Sequence, residues 1–224
     1  LIDYSQNFQD DIFSRIDVSD STLLFQKNAD VAERALEILN RVVPEKTSIL
    51  SSLEGRRTIS NDEYSYFIGK REEIMDDVSG VISLDKELSE AKAEIPRLET
   101  QIEGLAAWLT LDVPLSFKGT KKTATFIGSL PSRETEETLL QKFSVIIPEI
   151  SSIDIEIISS SDEITCFVVI CSKSDANAVD DALRRMNFSR PPMSDEIPSK
   201  KKEDLERKLE KINSDIAALT DRIA

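Results

Sequence analysis

Eight apolar residues, Leu84, Leu88, Ala91, Ile95, Leu98, Ile102, Leu105 and Leu109, recur at steps of 4, 3, 4, 3, 4, 3 and 4. An α-helix with this alternation carries all eight on one narrow stripe, the seam by which a helix meets a partner in a coiled coil. The stripe belongs to a stretch, residues 60–111, that the sequence predicts as a single helix. Ser60 and Glu63 form a capping box at its start, and at 1.5 Å per residue it reaches about 75 Å. One seam with polar flanks does not hold a helix in water by itself, so a second helix is required.

That partner is found after Pro198. Leu205, Leu209, Ile212, Ile216, Leu219 and Ile223 are spaced 4, 3, 4, 3 and 4. The intervening residues bring the chain back, so the two seams are predicted to run antiparallel. Leu205 is expected near Leu109, and Ile223 near Ala91 or Leu88. Pro96 inside the first seam removes a backbone hydrogen bond and predicts a bend. The 3-3 steps at Val78, Val81 and Leu84 shift the stripe locally. Gly69, Gly80 and Gly104 each weaken the helix by about 1 kcal/mol relative to alanine, which predicts that packing offsets them.

Between the seams the pattern changes. Residues 123–127 are β-branched and read as a strand turned by Gly128 and Pro131. Ser132 is expected to cap a helix running to 147. Residues 153–157 alternate as a half-buried strand, and 164–170 form a more apolar one. Residues 172–186 are an amphipathic helix through Ala178, Leu183 and Met186. Residues 188–193 are a short edge strand limited by Pro191 and Pro192. The order β-α-β-β-α-β predicts a small ferredoxin-like lobe with both helices on one face. The expected class is therefore α+β, a long bent antiparallel helical coiled-coil rod carrying that lobe at its far end.

Two further stretches precede the rod. A helix over 20–43 starts at the hydroxyls of Ser19 and Ser21, runs through Ala32, Leu36, Leu39 and Val43, and stops at Pro44. A loop covers 44–59. In residues 1–19, Leu1 to Tyr4 read as the tail of a strand, and Phe8, Ile12, Phe13 and Ile16 as a short amphipathic turn. The chain opens on Leu1 without a methionine and closes at Ala224 inside a heptad pattern, which reads as a segment of a longer protein.

Composition narrows the chemistry. With 42 acidic and 28 basic residues the formal charge is −14, and such a surface repels nucleic-acid phosphates and anionic lipid. There is no histidine, which removes the commonest general base and zinc ligand. Cys166 and Cys171 stand five apart in one strand, on opposite faces, so no disulfide joins them and a reducing, cytosolic setting follows. No apolar run approaches the ~20 residues needed to span a bilayer.

No catalytic, cofactor-binding or metal-binding residue emerges. Lys118-Gly119-Thr120-Lys121-Lys122 lacks the first glycine of a phosphate loop and precedes a strand, so it reads as a solvated loop. The carboxylate pairs Asp10-Asp11, Asp76-Asp77 and Asp180-Asp181 are sequence neighbours, which diverge on a helix. Phe167 has no basic-aromatic series around it for stacking bases. Trp108 reads as packing at the junction of rod and lobe.

The run Leu105-Ala-Ala-Trp108-Leu-Thr-Leu-Asp112-Val-Pro114-Leu115, followed by Gly119-Thr120 and Phe126-Ile127-Gly128-Ser-Leu130-Pro131, resembles subunit I of prokaryotic V/A-type rotary ATPases, the counterpart of subunit a of the eukaryotic vacuolar proton pump. The order of long helix, α/β lobe and returning helix adds to the resemblance. It implies a non-catalytic stator on the cytoplasmic face of the cell membrane, the soluble part of a membrane protein. Such a domain ties peripheral stalks of E/G-type subunit pairs, held at the distal lobe, to the other stator and membrane-sector subunits of the ion-translocating complex. The family's essential membrane arginine has no counterpart here. The implied division is 1–19 as the remnant of a membrane-proximal lobe, 20–111 as the outgoing helices, 112–197 as the distal lobe and 198–224 as the returning helix. No cofactor, nucleic acid or small-molecule substrate is implied. The alternative is an unrelated coiled-coil adaptor with a ferredoxin-like, protein-binding lobe.

Overall fold

The computed structural model describes residues 19–44 and 58–224. The strand tail and amphipathic turn expected before residue 19, and most of the 44–59 loop, lie outside the described residues. The chain divides into two compact units, one ending at Lys92 and taking in Ser214–Ala224, the other Ala93–Asn213.

In the first unit, α1 (Ser19–Val42) is followed by α2 (Asn61–Gly69), which begins on the expected capping box. The Glu63 N–H donates to Ser60 Oγ (3.2 Å) and the Ser60 N–H donates to the Glu63 carboxylate (2.8 Å). The single helix expected over 60–111 is interrupted. Lys70 leaves helical geometry at φ −101°, ψ 10°, and α3 (Arg71–Leu105) starts after it. Gly69 precedes the break with nothing within 4 Å of where its Cβ would be, so no packing offsets its low helix propensity. The backbone ladder still crosses the break, from the Lys70 N–H to the Tyr66 carbonyl and from the Ile74 N–H to the Lys70 carbonyl.

Ile38 of α1, Leu88 of α3 and Ile223 of α6 (Pro198–Ile223) form a buried cluster with Leu39, Val42, Val81, Leu84, Ile216 and Leu219 around it. Arg41 and Asp85 add an ion pair between α1 and α3. The buried face of α1 differs from the expected one. Ala35 and Ile38 are buried, whereas Leu36 is 59% and Val43 47% exposed. Two stripes with the same 4-3-4 spacing run side by side along α1, 31/35/38/42 and 32/36/39/43, the second ending one residue past the helix. They are about 100° apart on the helix, and spacing alone does not choose between them.

In the second unit, α3 ends at Leu105 and a 3-10 turn, Ala106–Trp108, follows. Strands β1 (Thr123–Leu130), β2 (Ile153–Ser160) and β3 (Thr165–Ser172) form a sheet in the order β1-β3-β2, with β3 antiparallel to both neighbours. β1 and β2 thus run parallel, joined by a crossover that contains α4 (Glu136–Ile146). α5 (Ala176–Arg185) follows β3. The class is mixed helix and three-stranded antiparallel sheet.

Three local expectations are corrected. Gly128 does not turn β1; the strand runs through it to Leu130. The cap of α4 is Thr135, which shares a capping box with Thr138, and not Ser132. The fourth strand is reduced to one bridge, Ser129 to Ser189, because Pro191 and Pro192 have no N–H to continue a ladder.

Each face of the sheet carries its own cluster. Phe167, Val169, Cys171, Ala124, Leu130 and Ile155 pack with Leu139 and Phe143 of α4 and Val179, Ala182 and Leu183 of α5. On the other face, Ile127, Cys166 and Val168 pack with Leu98, Leu105, Trp108, Leu111, Leu115 and Leu205. Leu205 therefore shares a cluster with Leu98 and Leu105. α6 opens on Pro198, whose missing N–H costs nothing at a helix start.

Candidate interaction surface

The residues weighed for chemistry from the sequence are not gathered into one site. Asp10 and Asp11 lie outside the described residues. Asp76 and Asp77 are exposed. Asp180 is half-buried and accepts from Arg184 and Arg190, while Asp181 faces solvent. Phe167 is fully buried in the core and offers no ring to a base. Trp108 is 4% exposed, a packing residue. Cys166 and Cys171 are free, buried and in different clusters. Burial pushes both thiols up, with Asp175 adding to the effect at Cys171 and a hydrogen bond to Ser159 opposing it at Cys166. Among the described residues no three His, Cys, Asp or Glu side chains are placed to hold a metal ion, and no helix is long and apolar enough to cross a membrane.

The lysine-rich segment 118–122 is a tight turn. Gly119 sits at φ +105°, where a Cβ would meet the Thr123 carbonyl oxygen at 2.3 Å. The Thr120 and Thr123 hydroxyls bond each other at 2.8 Å, and Thr120 Oγ1 accepts from the Lys122 and Thr123 backbone. These bonds spend the backbone donors that a phosphate loop would direct at its ligand.

Glu134 is the residue the sequence reading missed. It is the one buried acidic or basic side chain among the described residues, 7% exposed. Its carboxylate accepts from Ser132 Oγ (2.7 Å), from Thr138 Oγ1 (2.8 Å) and from the Lys142 ammonium. Its N–H donates to Thr165 Oγ1 (2.9 Å), and that hydroxyl donates to the Ser132 carbonyl (2.9 Å) and meets Ser160 Oγ (2.9 Å). Burial alone would raise the carboxyl, but the hydrogen bonds from Lys142, Ser132 and Thr138 and the Lys142 charge outweigh it and hold Glu134 below its ordinary range. Every member has a partner, so the cluster fastens the β1–α4 connection to the β2–β3 hairpin and presents no free group. The spacing 134, 138, 142 is the signal that could have found it, three polar residues four apart across a helix start.

What the surface does offer is apolar area. In the second unit Val145 is 81% and Met193 67% exposed, and Leu140 stands beside Glu136, Glu137, Gln141 and Ser144 on the outer face of α4. In the first unit Leu23, Phe25, Leu36, Tyr64, Tyr66 and Phe67 are all more than half exposed, and α2 buries no residue at all. A contiguous exposed apolar patch marks a surface that another protein covers, whereas single exposed apolar side chains are ordinary on a soluble surface.

No known family pattern matches the chain, and none of the curated proteins matches it. Among solved structures it is similar to the cytoplasmic N-terminal domain of subunit I, homolog of subunit a, of V-ATPase. The TM-score is 0.49 at 14% identity, with 94% of this chain and 66% of that chain covered.

Proposed function

We propose that this chain is a non-catalytic stator segment of a V/A-type rotary ATPase. In this reading 20–111 and 198–224 form an antiparallel coiled-coil rod, and 112–197 a ferredoxin-like distal lobe that holds an E/G-type peripheral-stalk pair. The rod ties that lobe toward the ion-translocating membrane sector from the cytoplasmic face. The observation that carries the reading is where the resembling residues lie. Leu105, Trp108, Leu111, Leu115 and Ile127 of that motif share one buried cluster with Leu205, so the motif builds the joint between sheet and helix pair. A stator has to resist torque, and a packed joint of large side chains transmits force without local chemistry.

The test is calorimetric titration of the chain with a purified E/G-type heterodimer from the same organism. The expected result is saturable binding that Val145→Glu weakens. Absence of binding at about 100 µM of each, where even a weak specific complex of about 5.5 kcal/mol is substantially filled, overturns the reading in favour of an unrelated coiled-coil adaptor.

A further inference from the structure

Backbone hydrogen bonds close a ring at the outer edge of β1. The Thr125 N–H donates to the Lys118 carbonyl (3.1 Å), the Ser116 N–H to the Ser194 carbonyl (3.0 Å), and Ser129 and Ser189 exchange two bonds (2.8 and 2.9 Å). The circuit runs from Lys118 across to Thr125, along β1 to Ser129, across to Ser189, through Arg190 to Ser194, and back through Ser116. It encloses a depression of about 390 Å³, walled by Leu115, Phe117, Pro191 and Met193 and bordered by Lys118 and Arg190.

Ile127 lies on the β1 side of the ring. Thr125 and Ser129 turn their backbone groups away from β3, and in an antiparallel ladder the residue midway between them does the same. Among the described residues no backbone group meets the Ile127 N–H or carbonyl on that side, although the residue is only 5% exposed. Among the described residues, a donor and an acceptor thus face the depression without a backbone partner, the ordinary condition of an open sheet edge, and are available to an incoming chain. Arg190 is engaged by Asp180, but among the described residues Lys118 takes part in no ion pair. Lys121 and Lys122 extend the positive turn in a chain of formal charge −14.

The geometry points to a recognition site for a single apolar residue of a partner protein with an acidic residue beside it. The apolar side chain fills the hole, its backbone bonds to Ile127, and the neighbouring carboxylate reaches Lys118. The ring limits the length of the contact, because Lys118 and Ser189 already occupy the edge at Thr125 and Ser129, so a full added strand is excluded. The sign of the free lysine sets the charge of the flanking residue. This inference stands independently of the rotary-ATPase reading.

The experiment is titration of the ¹⁵N-labelled chain with acetyl-Glu-Leu-Glu-amide and, separately, acetyl-Lys-Leu-Lys-amide, followed at the Ile127 amide. One anchored residue supports a Kd on the order of 1 mM. A single solvated charge pair makes the lysine peptide about threefold weaker or more. Lys118→Glu should invert that order, and Met193→Arg, at an exposed position of the rim, should abolish the shift. The inference is overturned by no saturable change at Ile127 up to about 10 mM peptide, by equal binding of the two peptides, or by either substitution leaving binding unchanged.

Discussion

The ring of Phe188 occupies the space that a side chain on Gly128 would need. A Cβ there would meet the ring Cζ at 2.2 Å and the Ser189 carbonyl oxygen at 2.4 Å. Gly128 pairs with Phe167 across the sheet, and Phe167 holds Phe188 edge-on with centroids 5.5 Å apart. The glycine is the seat on which the 188–190 segment rests. Gly128→Ala should therefore destabilise the chain by about 1–3 kcal/mol, the usual cost of overpacking. Denaturant unfolding measures it. Because part of the clash is with that ring and part with the Ser189 backbone, Phe188→Ala in the same chain should recover only part of the loss, a non-additivity that a double-mutant cycle reads directly.

Removing the Glu134 charge tests the buried polar cluster. Glu134→Gln should cost about 1–3 kcal/mol at neutral pH, since charge-assisted hydrogen bonds are lost in a buried setting. Because the folded carboxyl titrates below its unfolded value, its contribution is fully present above the unfolded pKa of about 4.3. It is lost as pH falls through the still lower folded value. The stability gap between the parent chain and Glu134→Gln should accordingly be constant from neutral pH to about 5 and narrow as pH falls below the unfolded value. Unfolding curves at a series of pH values check both halves, and a gap that widened on acidification would contradict the assignment.

The sequence made the long helices and the order of strands legible because apolar burial along them follows a simple period. Leu88, Leu98, Leu105, Leu205 and Ile223, all seam residues, are buried. What it left open depended on relations that spacing does not encode. Two equally spaced stripes on α1 can be separated only by knowing what they face. Gly128 reads as a turn residue until Phe188, sixty residues away, is brought over it. Glu134 looks like one more surface acid in a chain of 42 acidic residues, until Thr165 and Ser132 close around it. Elements came from local chemistry, whereas the joints between them came from side chains distant in sequence.

Gly80 is expected to be a place where stability can be gained. The sequence predicts that packing offsets the intrinsic cost of a glycine within α3, yet nothing lies within 4 Å of where its Cβ would be. Gly80→Ala should raise stability by about 0.8–1 kcal/mol through helix propensity alone. A rise in denaturation midpoint with an unchanged slope would register it. A loss of stability would mean that a neighbouring group approaches there after all.

The two stripes of α1 give the sharpest mutational contrast. Ile38 is 5% exposed and packs in the cluster with Leu88 and Ile223, whereas Leu36 is 59% exposed. Ile38→Ala should cost about 2–4 kcal/mol, the transfer and cavity cost of a buried branched side chain. Leu36→Gln should stay within about 0.5 kcal/mol, as surface substitutions do. Had the 32/36/39/43 stripe been the packed one, the order would be reversed, so one pair of unfolding curves decides which face α1 turns to its neighbours. A Leu36→Gln effect that emerged only in the presence of another protein would mark the outer stripe as a contact surface, since the isolated chain leaves it in water.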